Sequence, residues 1–162
     1  MHGEVSTRPE RLPDDGDFLL SLYASTRRPE LAGLGWSGTE EDAFIRMQFS
    51  AQTRHYRGSF PHAAYSVICV DGEPAGRLIV SRSDDGIVLV DLALLPRFRR
   101  IGIGSGLVRC LLDEADAGRL RVRCHVRQGS DARRFWERAG FVAQGSDGAY
   151  VAMERAAEKR RP

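Results

Sequence analysis

The residues whose types and spacing point most specifically to chemistry are Arg99, Arg100, Gly102, Gly104 and Ser105. They lie within Leu92 to Leu107, where an apolar strand runs through a basic, glycine-containing loop into an amphipathic helix. Such a junction presents backbone N–H groups at the positive end of a helix, here with Arg97, Arg99 and Arg100 beside them, which makes it an anion cradle. Gly102 and Gly104 let the backbone approach oxygen atoms that a Cβ would hold away. The amides from Arg99 to Ser105 then face the anion, and the Ser105 hydroxyl adds a further donor.

Three phosphate-binding loops compete for this stretch. A Walker A loop needs a lysine after its second glycine, and the only lysine in the chain is Lys159. A dinucleotide fingerprint needs a third glycine where Leu107 stands and an acid about 20 residues on, where the chain has Arg121 to Arg123. The remaining form, Arg/Gln-x-x-Gly-x-Gly/Ala, is matched at every position by Arg99-Arg100-Ile101-Gly102-Ile103-Gly104. With this motif the chain resembles the GNAT superfamily of N-acetyltransferases. The later segment Ser130-Asp131-Ala132-Arg133-Arg134-Phe135-Trp136-Glu137-Arg138-Ala139-Gly140-Phe141 is similar to that family's Asn-Pro-Ala-x-x-x-Tyr-x-x-x-Gly-Phe pattern.

The resemblance implies acetyl-CoA as cosubstrate, with its pyrophosphate wrapped by Arg99, Arg100, Ile101, Gly102, Ile103, Gly104 and Ser105. It implies that the backbone of Leu92, Ala93 and Leu94 hydrogen-bonds the pantetheine arm, and that Ser130, Arg133, Arg134 and Trp136 lie at the helix completing the cofactor cleft. The implied reaction is direct transfer of the acetyl group to a primary amine of a small molecule, or a peptide amine, in a ternary complex. Two positions depart from the family pattern. Trp136 replaces the tyrosine that usually acts as acid, and Ser130 replaces the capping asparagine. The alternative is therefore a non-catalytic CoA-binding sensor or interaction domain on the same fold.

Acetyl transfer needs a neutral amine, a polarised thioester carbonyl and a proton for the departing thiolate. Asp91 is the only ionisable side chain inside its apolar strand, and if buried it would have a raised pKa suited to deprotonating an amine through a water. Pairing with an arginine is its alternative role. Tyr56 is the candidate for the second catalytic group, with Tyr23 and Tyr150 as alternatives for the proton. The acceptor is expected along Trp36, Gln48, Gln52, His55 and Tyr56.

The elements that must position these residues follow from periodicity. A short strand over 4–12 leads to a helix marked by Phe18, Leu19, Leu22 and Tyr23, ending near Ser25 to Arg28. Thr39 and Asp42 resemble a capping box for a long helix to about Arg57, with Phe44, Met47 and Ala51 as its buried stripe and the Gln48–Tyr56 row on its flank. Three strands follow, turning at Asp71-Gly72 and Asp84-Asp85-Gly86. After the loop come a helix to about Ala117 stopped by Gly118, a strand from Leu120 to Val126, a short helix capped by Ser130-Asp131, and two last strands. The fold class is α+β, a three-layer GNAT fold with a mixed, mostly antiparallel sheet of about seven strands and about four helices. Residues 1–156 read as one domain and 157–162 as a charged, frayed tail.

Composition bounds the rest. A net charge of +2 gives no global field toward nucleic acid or an anionic membrane. The arginines of Arg119 to Arg127 lack interleaved aromatics and read as a solvated strand face. No stretch approaches the roughly 18 apolar residues of a membrane span. Cys69, Cys110 and Cys124 each sit in an apolar run, as buried, reduced thiols of a bacterial, cytoplasmic protein would. No Cys/His spacing suggests a metal, and a homodimer is left open.

Overall fold

A computed structural model describes residues 3–158. Its elements are β1 (Val5–Pro9), α1 (Gly16–Leu31), α2 (Gly38–Ser59), β2 (Ala64–Val70), β3 (Glu73–Ser83), β4 (Gly86–Leu94), α3 (Ile103–Gly118), β5 (Val122–Arg127), α4 (Ala132–Arg138), β6 (Val142–Ser146) and β7 (Tyr150–Arg155). The strands form one open sheet in the order β1-β2-β3-β4-β5-β7-β6. The β1–β2, β5–β7 and β6–β7 pairs are antiparallel, and β4–β5 is parallel. This is the mixed, seven-stranded α+β architecture expected from the sequence.

The chain gathers into two compact units, residues 1–78 with 92–103, and residues 79–91 with 104–162. In the first, Tyr23, Ala24, Leu31 and Ile45 form a buried cluster with Leu20, Phe44 and Phe49 packed against it. Arg28 clamps α1 to α2 from outside, reaching Glu41 at 2.6 Å and Asp42 at 2.8 Å. The Asp71-Gly72 turn has positive φ at both residues, 50° and 79°, the geometry a two-residue hairpin requires. In the second unit, Val108, Leu111 and Ala115 of α3 and Val122, Cys124 and Val126 of β5 are buried, as their spacing predicts.

Four local expectations are corrected. First, α1 does not stop at Ser25–Arg28 but continues through Pro29 to Leu31, whose side chain is buried in the cluster. Second, the N-cap of α2 is Ser37, two residues before Thr39. The Ser37 hydroxyl accepts from Glu40 N at 3.2 Å, and the Glu40 carboxylate accepts from Ser37 N at 2.9 Å. A glutamate reaches back to the cap where the shorter Asp42 does not. Third, α3 ends at Gly118 as expected, but the left-handed residue that turns the chain is the next one, Arg119, with φ of 55°. Fourth, Cys110 is exposed, whereas Cys69 and Cys124 are buried. Of the tail expected from residue 157, Glu158 N donates to Asp116 at 2.9 Å, and residues 159–162 lie outside those described.

Candidate active site

The loop is built by its own backbone. Pro96–Phe98 form a 3-10 turn at the end of β4, and Leu95 N, donating to Ala75 O at 2.8 Å, ties the strand end to β3. Arg100 and Gly102 then adopt φ of 60° and 90°, so the chain reverses into α3 through two left-handed residues. A Cβ placed on Gly102 would meet no atom within 4 Å, so the space beside it is open to a bound group. The first turn of α3 carries no acid. Its leading amides have no intrahelical acceptors and are directed at whatever occupies the loop.

The arginines divide their tasks. Arg97 pairs with Glu73. The Arg99 guanidinium donates to Leu94 O at 2.7 Å and to Ser25 Oγ at 3.3 Å, holding the loop to the end of its own strand. Arg100 is exposed and makes no side-chain ion pair or hydrogen bond among the described residues. Ile101 is exposed and Ile103 is buried, so the hydrophobic contribution of the motif to packing falls to Ile103. Upstream, the parallel β4–β5 ladder runs from Ile87↔Val122 to Leu89↔Cys124. Beyond it β4 continues to Leu94 and β5 to Arg127 with no pair between them among the described residues. Leu92, Ala93 and Leu94 take part in none of the β4–β5 pairs, and backbone without such pairs is what an extended ligand bonds.

In the first unit, only Phe44 of the expected Phe44–Met47–Ala51 stripe lies on the inward face of α2. Met47 is 59% exposed and Ala51 is exposed, whereas Ile45 is buried and Gln48, Phe49, Gln52, Thr53 and Tyr56 are half-buried. The polar row is therefore the inward row. Gln48 Oε1 accepts from Tyr23 OH at 3.3 Å, and that hydroxyl accepts from Arg27 Nε at 2.9 Å. Gln52 Oε1 accepts from Arg77 at 2.9 Å, and the buried Arg77 guanidinium lies 5.8 Å from the Tyr56 ring centre. His55 is exposed, 6.0 Å from that ring and on the outer side of the helix. Trp36 is 40% exposed and meets Phe44 edge-on at 5.0 Å.

In the second unit, Asp91 is half-buried rather than fully buried. At the start of α4 the N-cap is Asp131, whose side chain makes no cap hydrogen bond, while Ser130 Oγ, at the position of the family pattern's asparagine, accepts from Ala132 N at 3.1 Å. Arg133 is bonded to Glu137 at 2.9 Å, whereas Arg134 is exposed with no side-chain partner among the described residues. Trp136 is a core residue. It is buried, with Phe135 and Phe141 edge-on at 4.9 and 5.1 Å.

The sequence matches the acetyltransferase (GNAT) family over residues 26–141, most of its length and all of the loop. The chain belongs to the GNAT acetyltransferase family. As a member it takes acetyl-CoA as cosubstrate. Solved structures share the fold of this GNAT chain at low identity. One is PaiA N-acetyltransferase from Thermoplasma acidophilum in complex with coenzyme A, at 18% identity and TM-score 0.69, covering 94% of this chain and 99% of that one. An acetyltransferase from Thermus thermophilus gives 20%, TM-score 0.67, and coverage of 96% and 99%. The ribosomal-protein-S18-alanine N-acetyltransferase from Escherichia coli gives 17%, TM-score 0.59, and coverage of 98% and 97%. No curated protein matches the sequence.

Sequence reasoning about this GNAT chain missed Arg77, which draws Gln52 inward, and named Tyr23 as an alternative proton source but not as the partner of Gln48. A signal for Arg77 was present. It is a lone cation in the apolar run Pro74 to Val80, as Asp91 is a lone acid in the next strand.

Proposed function

We propose that the protein is an acetyl-CoA-dependent N-acetyltransferase that acetylates a primary amine by direct transfer in a ternary complex. The observation that carries the reading is the loop from Arg99 to Ser105. It combines two left-handed residues, open space at Gly102 and acid-free leading amides of α3, which together suit the pyrophosphate of CoA. The backbone at Leu92 to Leu94, outside the β4–β5 pairs, suits the pantetheine amides, and the exposed Arg100 and Arg134 supply mobile positive charge for phosphates. Arg99 acts by holding the loop rather than by reaching the anion, and Arg133 is occupied by Glu137.

In the reaction the amine nitrogen attacks the thioester carbonyl carbon and the C–S bond breaks. We assign Asp91 the amine's proton, taken through a water, and Tyr56 the proton given to the departing thiolate. Gln48, Gln52 and Trp36 contribute to acceptor binding, with His55 at the rim. The first test is thermal. At about 100 times its Kd, acetyl-CoA adds about 2.7 kcal/mol, which in a domain of this size is a rise in melting temperature of about 5–10 °C. Gly102→Trp, whose indole fills the open space, abolishes the rise while leaving the circular dichroism spectrum intact. No rise at millimolar acetyl-CoA with the native chain overturns the assignment. The second test is kinetic. Asp91→Asn lowers kcat/KM for the best amine of a panel by about 10²-fold, read as free-thiol release. A loss under threefold removes Asp91 from the chemistry.

The burial of Trp136 favours one second reading, a CoA-binding sensor without turnover, because the position given to a proton-donating tyrosine by the family pattern is here part of the core. Trp136→Tyr decides between them. If native chain and variant both bind CoA and neither acetylates any amine, the sensor reading replaces the enzyme.

A further inference from the structure

Between β1, α1, α2 and the strands β2 and β3 lies a small pocket of about 70 Å³ that shares Tyr56 with the acetyl-transfer reading but holds Glu10, which that reading does not use. Its wall includes Phe49, Thr53, Tyr56 and Tyr65, and Glu10 opens into it. The Glu10 side chain is only 6% exposed, and Arg57 donates to its Oε1 at 2.8 Å. Its other oxygen, Oε2, is buried and has no hydrogen-bond partner among the described residues. A half-satisfied buried carboxylate is a costly arrangement that a ligand supplying an N–H or O–H removes.

The neighbours narrow the class. An anion is repelled by Oε2. A cationic N–H gives the stronger, charge-assisted bond, and aromatic residues in the wall favour a cation over a neutral donor. The two arginines of the wall are already committed. Arg57 is paired with Glu10, lies 3.6 Å from the Tyr65 ring centre, and is 43% exposed. Arg77 is bonded to Gln52 and stacked near Tyr56. Tyr65 is not an anion, since burial raises its pKa and its hydroxyl donates to Phe60 O at 3.0 Å. Size is the last constraint. A cavity of roughly 150 Å³ holds a benzene ring, so this one holds a head group on a short unbranched chain.

We propose that this pocket is a binding site for a primary alkylammonium group of about three or four heavy atoms, held by Oε2 of Glu10. Binding needs no acetyl-CoA and stands or falls apart from the transfer reaction. The test is a titration of the isotopically labelled full chain with propylammonium, followed by backbone amide NMR shifts, with 1-propanol and propionate as neutral and anionic probes of matched size. Propylammonium produces saturable shifts at Glu10, Thr53 and Tyr65 with a millimolar Kd, the range open to so small a ligand, and the other two probes produce none. Glu10→Gln keeps the shape and places an N–H where Oε2 was, and it weakens propylammonium at least tenfold. Thr53→Leu, which fills the pocket from α2 with Glu10 intact, weakens it equally and carries the test if the Glu10 variant does not fold. The proposal is overturned by an unchanged affinity in the folded variants, by an equal response to 1-propanol, or by no saturable shift in the native chain. The last result leaves Oε2 to an ordered water.

Discussion

Single residues in this chain divide into those whose role follows from type and those whose role follows from neighbours. Gly102 belongs to the first group, because φ of 90° selects glycine whatever surrounds it. The three cysteines belong to the second. All sit in apolar runs, yet Cys110 falls on the outer side of α3 while Cys69 and Cys124 are buried. Burial alone pushes the Cys124 thiol up to about 12, so it stays protonated and unreactive at neutral pH. Native protein is therefore expected to give one fast-reacting thiol with a disulfide reagent, lost in Cys110→Ser, and the other two only on denaturation. Two fast thiols in the native state would contradict the burial of Cys69 or Cys124. Arg99 shows the same dependence on surroundings. Its type and place in the motif pointed to phosphate, whereas its contacts make it a strut on Leu94 O and Ser25.

Elements were legible in outline and less so in rotation. The strands, their turns and the strand–loop–helix junction follow from alternation, from Asp-Gly turns and from the glycine loop. The buried face of α2 did not follow. Apolar residues at 44, 47 and 51 keep a helical spacing, but so do 45, 48, 49, 52, 53 and 56, and the second set, joined by Phe44, is the inward one. Hydrophobicity could not choose it, because three of its members are Gln48, Gln52 and Tyr56. They are drawn inward by Tyr23, Arg77 and the pocket, which are remote in sequence. The start of α2 was misplaced for a simpler reason. Ser37 with Glu40 and Thr39 with Asp42 both fit a capping pattern, and only the longer acid reaches back to its cap nitrogen. The two registers predict different mutants. Ser37→Ala should cost about 1 kcal/mol in urea unfolding, and Thr39→Ala should cost less than half as much. The reverse order would place the cap at Thr39.

For the molecule as a whole, the topology was readable because element order and one motif jointly specify it, while the ion pairs that tie its ends were not. Two such ties, one within each unit, are bidentate arginine–carboxylate pairs. In the first, Asp15 accepts two bonds from Arg8, at 2.7 and 2.8 Å, and one from Arg11 N at 2.7 Å, joining β1 to the start of α1. In the second, Asp116 accepts from both terminal nitrogens of Arg155, at 2.9 and 3.0 Å, and from Glu158 N, joining α3 to β7 and the chain beyond it. The Arg8 hydrogen bonds hold the Asp15 carboxyl down to about 2, and those of Arg155 lower Asp116 in the same direction. A carboxyl depressed in the folded state binds fewer protons there than in the unfolded chain, so acid favours unfolding. The stability these ties contribute is complete above the unfolded value of about 4. It is lost as pH falls through the folded values, toward about 2 for Asp15. Urea midpoints should thus hold steady from pH 7 to about 5 and then drop between about pH 4 and 2. Asp15→Asn and Asp116→Asn should each lower the midpoint at pH 7, flatten the acid drop by up to one proton's worth of slope, and converge on the native curve near pH 2. Because the two ties share no partner, the double variant should flatten the drop by the sum of both. Glu114, whose pKa is lowered by its bonds to Arg82, leaves part of the slope in place. A variant that loses stability at pH 7 but keeps the full native acid slope would show that its carboxylate contributes packing rather than charge.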